Sequence, residues 1–228
     1  MSATSPSERT RVRRHSERAR YDEEIVHAIL DEGFVGHLAF VDDGHPLCVP
    51  MLYARKGATL YLHGSPHSRV LGLAGEGARL CLTVTLIDGL VLARSAFHHS
   101  INYRSVVIVG AGRPVTDREE KLESMRILVD HIVPGRSADA RGPSDGELKA
   151  TEMVAMTIEE ASAKIRTGPP MDSKGDLELP AWAGVLPVGL VAGQPIADEY
   201  NSQPLPDYIS SVVGRDPRAA LRSDPEPA

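Results

Sequence analysis

Three short apolar runs joined by turn signals, all between residues 35 and 63, set the tightest limit on how this 228-residue chain can fold. Val35 to Val41 reads as a strand, Asp42-Asp43-Gly44 as a hairpin turn, and Pro46 to Ala54 as the returning strand. Lys56-Gly57 makes a second turn into Thr59 to His63. Connections this short cannot hold the crossover that parallel strands need, so the sheet is antiparallel. Pro50 has no N–H for a ladder, which predicts an edge or a bulge at that position.

The flanks of this meander have helical periods. Asp22 reads as an N-cap with Glu23 and Glu24 in the first turn; Ile25, Val26, Ile29 and Leu30 form a stripe, and Gly33 ends it. Such a helix is expected to cover one mouth of the sheet. Ser65-Pro66 reads as an N-cap followed by proline at the first helical position, with Val70, Leu71 and Leu73 as the apolar face and Gly75 and Gly77 at the close. Arg79 to Leu86 alternates as a strand, with Leu80, Leu82, Val84 and Leu86 on one side and Arg79, Cys81, Thr83 and Thr85 on the other.

A wide loop or a continued strand runs through Asp88-Gly89 to His99. Val106 to Val109 begins the next strand, and Gly110 and Gly112 suggest a bend. From Asp117, the residues Leu122, Met125, Leu128, Val129 and Ile132 recur at helical steps until Pro134-Gly135 stops them. Ser137 to Gly146 reads as a polar loop, and Met153 to Ile158 and Ala183 to Leu190 as the last strands. The class is α+β, most simply an antiparallel closed or partly closed β-barrel with peripheral helices. The expected organisation is a mobile basic arm over 1–20, one domain over 21–212, and a disordered tail over 213–228.

Composition narrows the function. The net charge of −6 argues against sequence-independent nucleic-acid binding, and 4% aromatic residues leave few platforms for stacking bases. Arg9, Arg11, Arg13, Arg14, Arg18 and Arg20 crowd the first twenty residues, so the remainder is more acidic than the total. Cys48 and Cys81 lie in apolar runs and read as buried thiols of a reducing compartment. No secretory leader and no apolar run of membrane-spanning length is visible, so the cytoplasm is expected, with no membrane partner.

Two segments carry chemistry. In His63-Gly64-Ser65-Pro66-His67-Ser68-Arg69 a strand ends, a glycine opens the backbone and a helix starts. Free N–H groups there suit an anion, with Ser65, Ser68 and Arg69 as further donors; an ordinary capped helix start reads the same way. His98-His99-Ser100-Ile101-Asn102-Tyr103-Arg104-Ser105 offers a guanidinium, an aromatic and two hydroxyls to grip a phosphate or the edge of a heterocycle, or is a loop that bonds its own backbone. There is no CxxC pair, no HExxH, no nucleophile elbow and no glycine-rich dinucleotide turn. A structural metal site is therefore not expected, whereas haem ligation by one histidine leaves no spacing signature and stays open.

The runs LYLHGSPHSRVL, CLTVTLIDGLVLARSAFHHSINYRSVVIVGAGRPV and KIRTGPP…WAGVLPV, in this order, resemble the pyridoxamine 5′-phosphate oxidase-related FMN-binding proteins. Within these they resemble the flavin-nucleotide-binding branch that includes nitroimidazole-resistance reductases, over roughly residues 15–200. The resemblance implies a split β-barrel and a homodimer with FMN in grooves between subunits. It makes His63, Gly64, Ser65, Ser68 and Arg69 part of the flavin site, with Arg69 a phosphate partner and His63 the one catalytic candidate. Asn102, Tyr103, Arg104 and Ser105 match the branch's N-Y-R-S motif, Trp182 lies in its W-A-G-V motif, and Thr83 and Thr85 are placed to hydrogen-bond the cofactor. The implied activity is an FMN-dependent oxidoreductase taking electrons from a reduced nicotinamide to a small acceptor such as a nitro compound or quinone. A flavin carrier or sensor without turnover, and a barrel holding haem or a deazaflavin, are the alternatives. The chain lacks the arginine-leucine-x-proline ending of the true pyridoxamine 5′-phosphate oxidases, which argues against vitamin B6 oxidation.

Overall fold

Asp43 and Gly44 both take positive φ, 48° and 76°, the left-handed pair that a two-residue hairpin turn demands. In the computed structural model, which describes residues 7–214, they join the second and third of nine strands. The elements run β1 (Ala19–Arg20), α1 (Glu23–Glu32), β2 (Val35–Asp42), β3 (His45–Lys56), β4 (Thr59–Gly64), α2 (Arg69–Gly75), β5 (Arg79–Leu92) and β6 (Ser100–Pro114). There follow α3 (Arg118–Ile132), α4 (Arg136–Asp139), α5 (Asp145–Lys149), β7 (Glu152–Thr157), β8 (Glu160–Arg166), β9 (Gly184–Pro187) and α6 (Asp207–Ser210).

The pairings return on themselves: β2 to β3, β3 to β4, β4 to β7, β7 to β6, β6 to β5 and β5 to β2, all antiparallel. Six strands thus form a ring, with β8 and then β1 beside β6, and β9 beside β5. Alternation sends Leu38 and Phe40, Leu60 and Leu62, Leu80, Leu82 and Val84, and Val106 and Ile108 into its core. α1 packs against β3, β5, β6 and β8 and buries Val26, Ile29 and Leu30 in the same core. The buried Tyr53 hydroxyl ties the end of α1 to the ring by donating to the Leu30 carbonyl at 2.7 Å. Gly110 is required by close approach, since a methyl group at that position would stand 1.8 Å from the Thr157 carbonyl oxygen.

Several expectations need correction. Pro50 pairs with His37 without a register shift, so the edge reading holds and the bulge does not. Beyond the Tyr53–Leu62 pair β4 leaves β3, and among the described residues no strand lies against the other side of 46–51. Cys48 sits on this open edge and is exposed rather than buried. The bulge lies instead in β5 at Asp88; the strand runs through it to Leu92, and β6 already starts at Ser100. β8 was not anticipated, because Ala161, Ser162 and Ala163 are too small to give a clear apolar period. The polar loop over 137–146 contains most of α4 and the start of α5, which Ser144 and Glu147 open with a reciprocal capping box.

The basic arm is not free over its described part. Ala19 and Arg20 pair with Lys164 and Ala163, Ser7 and Arg9 hydrogen-bond Glu160, and Thr10 is buried. A β ladder and an acidic anchor hold 7–20 along β8. Residues 1–6 and the tail from Pro217 lie outside the described residues.

Candidate functional site

The first candidate segment sits where β4 leaves the ring. Ser65 makes a turn of its own: its carbonyl accepts from the Ser68 N–H at 2.9 Å and its hydroxyl from the His67 N–H at 3.2 Å. The helix therefore starts one turn later than expected, at Arg69 with Ser68 in the cap position, and Pro66 lies outside it. Gly64 is fixed partly by packing, because an added methyl would meet Leu71 at 2.9 Å. Arg69 is exposed and reaches Asp42 at 2.8 Å, across the end of the open β3 edge. A solvent-accessible cation, Arg69, thus stands beside the β4–α2 turn at the end of the β2–β3 hairpin.

Strand alternation divides the second segment. Thr85 faces Ser105, Thr83 faces Val107, and Tyr103 faces Ile87 on the outer side of the β5–β6 ladder. Ser105 donates to the Lys164 carbonyl at 3.3 Å. Asn102 and Arg104 point the other way and are buried. The bulge at Asp88 turns its carboxylate onto Arg104, at 2.8 and 3.0 Å, and Glu32 from α1 takes the other side of the guanidinium. Burial opposes the charge on Arg104, but the hydrogen bonds from Glu32 and Asp88 outweigh it and raise the pKa. With two carboxylates on this guanidinium, its assignment to a cofactor phosphate gives way to a role in tying α1 to β5 and β6.

A different arginine, which motif reading passed over, is left with backbone and amide partners only. Arg166 is buried at the end of β8 and donates to the Asn102 side chain and to the carbonyls of Gly168 and Pro169 at 3.3 and 3.2 Å. No carboxylate pairs with it among the described residues, and burial lowers its pKa. The available signal was its place in the KIRTGPP run, opposite Tyr103. Trp182 is 70% exposed, with its ring over Gly184 at the start of β9. Among the described residues no strand pairing brings it near the β4–α2 turn. His98, Asp172 and Asp176 place possible ligand atoms within 4.8 Å of one another, but Asp172 is already ion-paired to Arg94 at 3.0 Å.

His63 belongs to a cavity of about 370 Å³ between the outer face of β3–β4 and α3. Leu52, Met125, Leu128, Val129 and Ile132 form apolar walls, and Arg141, Pro143 and Glu147 complete the lining. Nδ1 of His63 is buried without a hydrogen-bond partner, and burial lowers the pKa, so the ring is held neutral. Arg141 grips Glu147 with two hydrogen bonds of 2.8 and 3.0 Å; these bonds and the Ser144 N–H bring the Glu147 pKa down to about 2. Among the described residues no helix is long and apolar enough to cross a membrane.

Comparison with known proteins agrees with this architecture. The chain matches the structure of the flavocytochrome Anf3 from Azotobacter vinelandii with a TM-score of 0.84 and 39% identity, over 91% of this chain and 97% of that one. A FAD and haem binding protein from Mycobacterium smegmatis matches with a TM-score of 0.82 and 33% identity, over 86% and 98%. A 5-nitroimidazole antibiotic resistance protein from Bacteroides thetaiotaomicron shares the fold, with a TM-score of 0.55 and 22% identity over 64% and 86%. No curated protein matches the sequence. The family model for pyridoxamine 5′-phosphate oxidase covers residues 22–165, the span from α1 to β8 that closes the ring, so the chain belongs to that family and has its flavin-binding fold.

Proposed function

We propose that the protein is a dimeric oxidoreductase carrying a flavin and a haem, which passes electrons from a reduced nicotinamide to a small acceptor such as a nitro compound or quinone. The observation that carries this reading is the near end-to-end likeness, above 30% identity, to a flavocytochrome and to a FAD and haem binding protein. The residues present fit the flavin. Beside the open β3 edge, the β4–α2 turn would offer the exposed Arg69 to a riboflavin phosphate. The α3 cavity is lined by apolar residues and by His63, Arg141 and Glu147, and at about 370 Å³ it is smaller than a haem.

In this reading Arg69 neutralises the phosphate, Gly64 and Ser65 let the backbone approach the ring, and Thr83, Thr85, Tyr103 and Ser105 form a polar patch toward a second copy. That copy would cover Val41, Ile87 and the apolar residues that stand exposed after β9, among them Leu190, Ile196 and Tyr200. Trp182 of each chain then has a partner surface to lie against. When bound, the flavin supplies two-electron chemistry and the haem one-electron chemistry, while the protein orients and shields them. The family motifs imply FMN, and the M. smegmatis neighbour binds FAD; the riboflavin phosphate contacts serve either.

The test is the absorption spectrum of purified full-length protein, with chromatography of the released flavin and size exclusion. Paired flavin bands, a Soret band and a dimer are expected; FMN, FAD and a deazaflavin separate on the column. Protein without a flavin sinks the reading. NADH or NADPH oxidation with an added quinone or nitro compound then separates an enzyme from a carrier.

A further inference from the structure

We infer that the end of β8 is a binding site for an adenosine diphosphate group, with Arg166 and Arg18 meeting its phosphates and Tyr103 its adenine. FAD and a reduced nicotinamide dinucleotide both carry that group, so the inference deepens the flavin and donor reading above and rests on it. The starting point is a charge without a counter-charge. Arg166 is 6% exposed, and its hydrogen bonds go to the Asn102 amide oxygen and to the carbonyls of Gly168 and Pro169. Taking an ion out of water is costly unless an opposite charge meets it.

The surroundings add positive charge instead. Burial first, and then repulsion from Arg18, which leads into β1, lower the Arg166 pKa. Lys164, two residues earlier on β8, gives its ammonium to the Arg14 carbonyl at 3.1 Å. Among the described residues Glu17 is the one carboxylate that reaches any of these three cations, and it stands 3.6 Å from Arg18. The site is also open to a ligand. His63 Nδ1 is the one fully buried side-chain nitrogen or oxygen without a partner among the described residues, so Arg166 Nε, which has none either, keeps contact with solvent. Gly168 takes a φ of 100°, and beyond its chain neighbours nothing lies within 4 Å of where its Cβ would stand. Asn102 holds the Gly168 carbonyl at 3.1 Å, which fixes the loop beside Arg166 and keeps that space.

The aromatic neighbour selects the kind of anion. Tyr103 is the register partner of Arg166, half-buried, and its hydroxyl has no hydrogen bond among the described residues. A ring beside two guanidinia suits a base that carries phosphates, whereas an inorganic anion makes no use of the ring. Arg69 stands at the other end of the β5–β6 ladder, where Asp42 lies beyond the Ala39–Cys81 pair. From the Arg79–Ala111 pair to the Ile87–Tyr103 pair that ladder runs about 26 Å, too far for the adjoining phosphates of one FAD. An FAD held at both ends therefore has to bridge two chains, whereas a nicotinamide dinucleotide at Arg166 needs only one.

The experiment is calorimetric titration of ADP and of inorganic pyrophosphate into full-length protein, as purified and after removal of its flavin, with circular dichroism on every variant. Wild type freed of flavin is expected to bind ADP more tightly than pyrophosphate. R166M and R18Q should weaken ADP roughly 10- to 150-fold, the loss of one charge-assisted bond. Y103L should weaken ADP and leave pyrophosphate unchanged. R18Q alters a partly exposed side chain, so it carries the test if R166M does not fold. Titrations of FAD against FMN, and of NADH and NADPH, tell the two sources apart. The variants abolish a preference for FAD over FMN if the group belongs to the flavin, and weaken only the nicotinamide dinucleotide if it belongs to the donor. Wild type without ADP binding, or folded R18Q and R166M with wild-type ADP affinity, overturns the inference, while flavin in the purified protein keeps the reading above. Equal binding of ADP and pyrophosphate, unmoved by Y103L, overturns the adenosine assignment. ADP binding by a protein that holds no flavin sinks the flavin reading and makes the donor the source.

Discussion

Replacing Arg104 by methionine should cost stability and leave the flavin in place, and replacing Arg69 by alanine should do the reverse. The Arg104 side chain is 10% exposed and its partners Glu32 and Asp88 are 20% and 18% exposed. Methionine keeps the stem but leaves two carboxylates facing each other, largely out of water. Breaking a buried ion pair costs about 3–5 kcal/mol, and the residual water around these carboxylates puts the loss near the lower end, ~3 kcal/mol. For a domain of this size each kcal/mol moves the Tm by about 2–4 °C, so a drop of roughly 6–12 °C is expected. Arg69 differs in every respect: its side chain is 75% exposed and its pair with Asp42 is a surface one, worth about 0–1 kcal/mol. A charge-assisted bond from it to a phosphate contributes about 1.5–3 kcal/mol, so its loss should raise the flavin Kd roughly 10- to 150-fold. Thermal unfolding followed by circular dichroism, and titration of deflavinated protein by flavin fluorescence, read the two effects separately. An Arg104 variant with the wild-type Tm would refute the network argument. One that stays folded but loses flavin affinity would return Arg104 to the cofactor site.

Tyr53→Phe removes the donor to the Leu30 carbonyl in a buried setting and should cost about 1–3 kcal/mol in urea unfolding, with no change in flavin content. Gly110→Ala drives a methyl group into the Thr157 carbonyl, and a loss of about 3 kcal/mol is expected in the same assay; a neutral result would mean the β6–β7 junction gives way freely. Because the Glu147 pKa lies near 2, below the ordinary 4.5, its contribution is present above about pH 4.5 and disappears as the pH falls toward 2. A carbon-detected NMR titration should show that midpoint, and Arg141→Ala should raise it. Val107→Arg puts a second cation near Lys164 on the outer face and should yield a monomer in size exclusion with reduced flavin content, while circular dichroism stays native.

What could be read from the sequence was local. The hairpin at Asp43-Gly44 follows from two residues that tolerate left-handed backbone, and the inward leucines of β5 follow from a period of two. Both are decided within a few positions of the chain. β8 escaped because alanine and serine carry too little apolar weight to mark a face, although in the ring Ala161 and Ala163 are buried for lack of room rather than for hydrophobicity. The N-Y-R-S run is the sharper case. As a string it is a cluster of ligand-forming groups; as a strand it sends Asn102 and Arg104 to one side and Tyr103 and Ser105 to the other. Whether an arginine is free for an anion then depends on residues that converge from elsewhere. Glu32 lies 72 positions from Arg104, and no pattern of spacing announces it. Arg166 shows the converse, a buried guanidinium whose want of a carboxylate is visible only once β8 is laid against β6. His63 needed both kinds of information: its strand-end place could be read from the turn that follows, but the wall beside it is built by α3, whose apolar stripe does not say which part of the sheet it will meet.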